Sequence, residues 1–331
     1  MVASNSTRHC PSGSPGSPEA AVAFQPPPAI DLCDVSVAYG SRPALSHVTA
    51  TFPRGATGLL GANGAGKSSL ILAILGLVKV KATRIEVLGL DATEAPLELR
   101  ARMGYVPERD AWLPGLDVIS AVTYCGALAG LPSADALQRA HDVLSFVGLD
   151  DSRYRSPETL STGMKQRLKL AEALVHDPEL LLLDESTNGV DPRGREQLLD
   201  LIWELGHHHH VNVVFASHVL NDVERTCDSF VVLDHGHVAA AGRLDEWQGG
   251  GGGVYEVRIK GDEVAFVEAL NAASVECDAA DGGMTRIVIA DGNPQRVFAI
   301  ASRLGVQVRH LRPMARSLED VFAERVVDEQ R

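Results

Sequence analysis

The chain has 331 residues, 45% hydrophobic and 22% charged, which is globular composition with room for two domains. Acidic residues outnumber basic ones 43 to 30, and the net charge of −13 disfavours nucleic acid, whose binding rests on neutralising phosphates. No apolar run approaches the roughly 20 residues of a membrane-spanning helix, and residues 1–20 lack the apolar core of a signal peptide, so work at a membrane requires a partner.

In chain order, residues 1–28 are rich in Ser, Pro and Gly and end in Pro26-Pro27-Pro28, the composition of a disordered tail. Residues 30–39 and 56–60 read as strands, 67–77 as a helix and 84–88 as a strand. Residues 95–172 are Ala/Leu/Arg-rich and read as a mainly helical subdomain. The short apolar runs 180–184, 211–217 and 230–234 suit strands buried on both faces, so residues 29–247 read as an α/β domain. The glycine run within 248–253 reads as a flexible linker. Beyond it, residues 254–331 alternate as strand (254–260), helix (263–272), two strands (275–279, 285–290), helix (294–304), strand (306–311) and helix (317–327). That order predicts a small α+β domain of ferredoxin-like type. Cys10, Cys33, Cys125, Cys227 and Cys277 are scattered and odd in number, which fits a reducing compartment better than a disulfide framework or zinc site.

Gly61-Ala62-Asn63-Gly64-Ala65-Gly66-Lys67-Ser68-Ser69 follows an apolar strand and opens a helix, the spacing of a phosphate-binding loop. Glycines let backbone N–H groups approach phosphate oxygens, and the helix N-terminus favours the same anions. Lys67 would reach the β/γ-phosphates and Ser68 a Mg²⁺ ion. The strand 180–184 ends in Asp184-Glu185, which places Asp184 to hold Mg²⁺ and Glu185 to act as general base on the attacking water.

Leu160-Ser161-Thr162-Gly163-Met164-Lys165-Gln166-Arg167, upstream of that strand, resembles the signature motif of the ATP-binding cassette (ABC) ATPases. Tyr39 resembles the aromatic that stacks on adenine, Asn188-Gly189-Val190-Asp191 the D-loop, and His218 the switch histidine at the γ-phosphate. The resemblance covers residues 30–247 and implies a P-loop NTPase of the ABC ATPase fold with ATP and Mg²⁺ as cofactors. It implies two subunits, identical or homologous, arranged head-to-tail so that Ser161, Thr162, Gly163 and Met164 of one contact the ATP of the other. It also implies a separate integral-membrane permease, with the chain peripheral on the cytoplasmic face.

Glu108, in Met103-Gly104-Tyr105-Val106-Pro107-Glu108, stands where the family usually has glutamine; an acid there can still ligate Mg²⁺. Thr162 and Met164 are similar to substitutions in exporter ATPases of the ABC-2 type, as is the ending Ser317-Leu318-Glu319-Asp320-Val321-Phe322. Export is therefore the expected direction. The alternatives are a soluble ABC ATPase acting on nucleic acid or ribosomes, against which stand the single phosphate loop and the lack of a coiled coil, and a slow nucleotide-gated module, motivated by Glu108. His207–His210 read as a solvated loop, and Trp203, at helical spacing from Leu199, reads as core. Trp112, Leu113, Pro114 and Leu116 fit either core packing or a docking face for a membrane partner.

Overall fold

A computed structural model describes residues 27–249, 253–280, 284–289 and 293–314. The first described element is β1 (Ile30–Tyr39), which turns at Gly40 into β2 (Arg42–Phe52). Then come β3 (Ala56–Leu60) and α1 (Lys67–Ile74), followed by the short strands β4 (Val80–Lys81), β5 (Arg84–Val87) and β6 (Leu90–Asp91). Next are α2 (Pro96–Ala101) and β7 (Met103–Val106), then α3 (Val118–Leu128), α4 (Ser133–Phe146) and α5 (Thr162–Leu174). The α/β pattern resumes with β8 (Leu180–Asp184), α6 (Pro192–His207), β9 (Asn212–Ser217) and α7 (Leu220–Thr226). It closes with β10 (Ser229–Asp234), β11 (His237–Arg243) and α8 (Leu244–Gly249).

The central sheet runs β11-β10-β3-β9-β8-β7, with every neighbouring pair parallel except β10–β11. Both its faces are covered. Leu180 and Leu182 enter a core with Leu70, Ile71 and Ile74 of α1, whereas Leu181 and Leu183 enter a second core with Val122, Leu168 and Ile202. Alternate side chains of one strand thus serve two cores, which is why β8 reads as unbroken leucine. Parallel pairing also brings the C-terminal ends of β3, β8 and β9 to one edge, the usual position of ligand sites in such sheets.

A second, antiparallel sheet is built on β1 and β2. β2 has no counterpart among the expected elements. Its burial alternates cleanly only from Val48 to Phe52, and the adjacent Ser46 and His47 interrupt the pattern before that. The expected helical subdomain at 95–172 also needs trimming. Met103–Val106 pairs in parallel with β8 as part of the central sheet, so the helices that pack together are α3, α4 and α5.

The last described segment consists of β12 (Gly253–Lys260), α9 (Glu263–Ala272), β13 (Glu276–Ala280), β14 (Met284–Ile289), α10 (Gln295–Leu304) and β15 (Gln307–Met314). Its sheet order, β13-β14-β12-β15 and antiparallel throughout, is the ferredoxin-like arrangement. Phe266, Leu270, Ile287, Val297 and Ile300 form its core. The linker expected at 248–253 is shorter: α8 runs to Gly249, and Gly253 already pairs with Ile289, leaving 250–252 outside the described residues. The expected tail up to residue 26 and the helix at 317–327 also lie outside them.

Trp203 is not core. Leu198, Leu199, Ile202 and Leu205 form the buried stripe of α6, while Trp203 sits on its flank, 40% exposed. It stacks on His207 one turn later, ring centroids 4.8 Å apart, and meets His208 edge-on. His207 itself closes α6 instead of belonging to a loop, and its Nε2 contacts Asp228 at 3.2 Å. Among the described residues, no helix is long and apolar enough to cross a membrane.

Candidate active site

The loop between β3 and α1 wraps the head of the helix, with Gly66 at the N-cap in left-handed conformation (φ 109°). A Cβ there would lie 2.7 Å from Leu45 Cδ2 and 2.8 Å from the Ala44 carbonyl oxygen, so only glycine lets β2 approach. The β10–β11 hairpin braces the same loop, its Gly236 N–H donating to the Ala65 carbonyl and its Gly236 carbonyl accepting from Ser46 N–H.

A cleft of about 570 Å³ opens over this loop. It gathers Tyr39, Asn63, Gly64, Gly66, Lys67, Ser68, Ser69, Glu108 and Glu185. Tyr39 stands 51% exposed at the cleft, as a ring must in order to offer a stacking face. Arg42, Pro43, Ala44 and His235 line the cleft too, though no sequence motif marks them. Only the three-residue distance of Arg42 from Tyr39 could have signalled any of them.

Lys67 is buried, and its ammonium donates to the carbonyls of Gly61 (2.7 Å) and Ala62 (3.2 Å). It also forms an ion pair with Glu185 Oε1 at 2.9 Å. The other carboxylate oxygen, Glu185 Oε2, lies 2.9 Å from His218 Nδ1. Glu185 adopts a left-handed backbone (φ 49°), a conformation costing a non-glycine residue about 1 kcal/mol or more, and one that tends to mark functional positions. Its N–H donates to the Ala216 carbonyl, which joins the turn after β8 to the end of β9. Thr187 and Arg195 both bond the buried Asp222 of α7, so the turn that carries Glu185 is tied to the helix that follows His218.

Asp184 is buried beside Ser68, and its Oδ1 has no hydrogen-bond partner among the described residues. Burial raises its pKa above the ordinary value; the Ser68 hydroxyl bond opposes this, and the charges of Glu108 and Glu185 add to the rise. Among the described residues no three acidic, histidine or cysteine side chains cluster as a metal site, but Asp184 feels the charges of Glu108 and Glu185 against that of Lys67, an environment that a divalent ion would relieve. Ser68, Asp184 and Glu108 therefore fit as Mg²⁺ ligands.

The signature residues lie elsewhere. Ser161 caps α5, its Oγ accepting from Met164 N–H at 3.3 Å, and both Ser161 and Thr162 are exposed. None of Ser161, Thr162, Gly163 or Met164 lines the cleft. A Cβ on Gly163 would meet Val190 Cγ1 at 3.3 Å, so this glycine allows the signature helix to lie against the D-loop of its own chain. Asp191 caps α6 through Gly194 N–H at 3.0 Å.

A glycine-rich loop between a central parallel strand and a helix, with a pair of acids ending a strand two places along the sheet, defines a P-loop nucleotide-binding protein. The family model described as ABC transporter matches residues 45–188. The linearmycin resistance ATP-binding protein LnrL of Bacillus subtilis is 33% identical over 242 residues, which span 72% of this chain and 78% of that protein. The daunorubicin/doxorubicin resistance ATP-binding protein DrrA of Streptomyces peucetius is 31% identical over 306 residues, covering 90% and 92%. A solved ATP-binding subunit of an ABC transporter matches with a TM-score of 0.60 at 30% identity, over 66% of this chain and 92% of that one. The chain belongs to the family of ABC transporter ATP-binding proteins; it binds and hydrolyses ATP as the ATPase subunit of a membrane transporter.

Proposed function

We propose that the chain drives export through a separate integral-membrane permease of the ABC-2 type, working as a head-to-tail pair on the cytoplasmic face of the membrane. One observation carries the pairing. Ser161 presents an exposed helix N-terminus outside the cleft that holds Lys67, so an anion site and a phosphate cradle sit apart on one chain. A second protomer brings its own Ser161, Gly163 and Met164 to the γ-phosphate and completes the site. Export is supported by the relatives whose names denote resistance, one of which aligns over 306 residues and so extends past the ATPase domain.

Within each cleft Tyr39 stacks on adenine, and the N–H groups of residues 63–66 point at phosphate oxygens. Mg²⁺ would be held by Ser68, Asp184 and Glu108, where it neutralises phosphate charge. The phosphates are stronger acceptors for Lys67 than loop carbonyls, and drawing Lys67 away releases Glu185 to take a proton from water. His218, already on Glu185 Oε2, orients that carboxylate and reaches the γ-phosphate.

A docking face supports the permease. Trp112 packs partly buried against the core, but Leu113 is 51% exposed, and Leu116, Ile119, Tyr124 and Leu137 line an apolar groove of about 340 Å³ on α3 and α4. The test is affinity purification of the tagged chain from detergent-solubilised membranes of its own host. The expected result is a stoichiometric membrane protein that Leu113→Asp and Leu137→Asp remove; recovery of the chain alone would reject the reading.

A further inference from the structure

Lys169 lies on α5, two turns after the signature residues, and its side chain is 3% exposed. Burying an ammonium is costly unless its donors are satisfied, and an apolar side chain would fill the same space without that cost. The position therefore needs a reason in its partners, and they are specific. The Lys169 ammonium donates to the Pro107 carbonyl at 2.9 Å and the Glu108 carbonyl at 3.1 Å, and lies 3.3 Å from Asp110 Oδ1. Three donors meet three acceptors within one four-residue segment.

That segment begins where the sheet stops. The β7–β8 ladder ends at the Val106–Leu183 pair, so the carbonyls of residues 107 and 108 lie beyond it, and Lys169 supplies donors in its place. Asp110 is held from the same helix face by Lys165 as well, at 3.8 Å. The side chain of Glu108 then faces the cleft with Lys67 and Ser68.

We propose that Lys169 is a positioning residue for ATP hydrolysis: it fixes the backbone under Glu108 and couples the place of that carboxylate to the helix that presents Ser161. A movement of α5 is thereby transmitted to the metal side of the chain's own cleft. The inference rests on the reading of Glu108 as a Mg²⁺ ligand.

The experiment titrates Mg²⁺ in steady-state ATPase assays of the purified full chain as wild type, Lys169→Met, Glu108→Ala and the double variant, and measures Mn²⁺ binding to the same proteins with ADP by electron paramagnetic resonance, where the same shifts are expected without turnover. Loss of a group that orients a metal ligand is expected to raise the Mg²⁺ needed for half-maximal rate about tenfold in Lys169→Met, with the KM for ATP within about twofold of wild type. Because Lys169 acts through Glu108, the double variant should match Glu108→Ala alone. A purely structural lysine would lower the amount of active protein and leave the Mg²⁺ profile in place. A wild-type profile in Lys169→Met, or effects that multiply in the double variant, overturns the proposal. If Lys169→Met does not fold, Asp110→Asn replaces it, with an expected shift of about twofold in the same direction; an unmoved profile is again a refutation. An unmoved profile in Glu108→Ala instead removes the metal-ligand reading, and the proposal with it, a result distinct from failure of the Lys169 variant alone.

Discussion

Lys67 and Glu185 form a buried ion pair 2.9 Å apart, each side chain only 5–6% exposed, and removing either partner should show in stability before any catalysis is measured. In Lys67→Met the Glu185 carboxylate loses its buried ammonium, and the Gly61 and Ala62 carbonyls lose their donor. Breaking such a pair costs about 3 kcal/mol or more, because the remaining charge stays desolvated. Glu185→Gln leaves Lys67 two neutral acceptors and should cost less, about 2 kcal/mol. The double variant buries no unpaired charge and should lose only about 1–2 kcal/mol, chiefly the two carbonyl bonds. The cycle therefore predicts a coupling of about 3 kcal/mol. In thermal melts without nucleotide, Lys67→Met should unfold roughly 6–12 °C below wild type, at about 2–4 °C per kcal/mol for a domain of this size, and the double variant should recover most of that loss. Single-variant losses that simply add would show that the two side chains do not depend on each other, and the account of Lys67 leaving Glu185 for phosphate would fail.

Glu172, on α5 one turn beyond Lys169, has its pKa pushed up to about 7 by burial, against the opposing charge of Lys169. An acid whose folded pKa is raised loses stability as pH rises from its unfolded value, near 4.5, through about 7, and above that it bears the full cost. Glu172→Gln should thus be more stable than wild type by on the order of 3 kcal/mol at pH 8 and by less than about 1 kcal/mol at pH 5, as read from urea unfolding. An equal difference at both pH values would contradict the assignment. Ser161→Ala removes the cap on Met164 N–H and should cost about 1 kcal/mol in monomer stability. ATP-dependent pairing should fall far more than that loss explains; pairing at wild-type strength would reduce Ser161 to a helix cap.

The features legible in the sequence were those whose physics is local. A glycine loop between strand and helix, and leucine runs ending in acids, need no knowledge of distant segments, and the strands 30–39, 56–60 and 180–184 appear with those bounds. β2 is hidden because the adjacent Ser46 and His47 break its alternation, and its place is fixed by pairing with β1. β7 falls inside the expected helical region because four residues between helices carry no period of their own, and only pairing with β8 reveals them. Arg42 and His235 reach the cleft from hairpins, where exposed side chains follow no pattern. Trp203 misled because helical spacing from Leu199 does not separate the centre of an apolar stripe from its flank. The Lys67–Glu185 contact joins residues 118 positions apart and was visible only after folding.

The central claim is that Lys67 of one protomer and Ser161 of another close on the same ATP. The most direct measurement is the mass of Glu185→Gln in solution by light scattering, with and without ATP and Mg²⁺, for the parent variant and for the same chain carrying Ser161→Arg. The expected result is a stable dimer that forms only with ATP and is lost in the Ser161→Arg variant. A monomer in every condition, or a dimer indifferent to both nucleotide and Ser161, would contradict it.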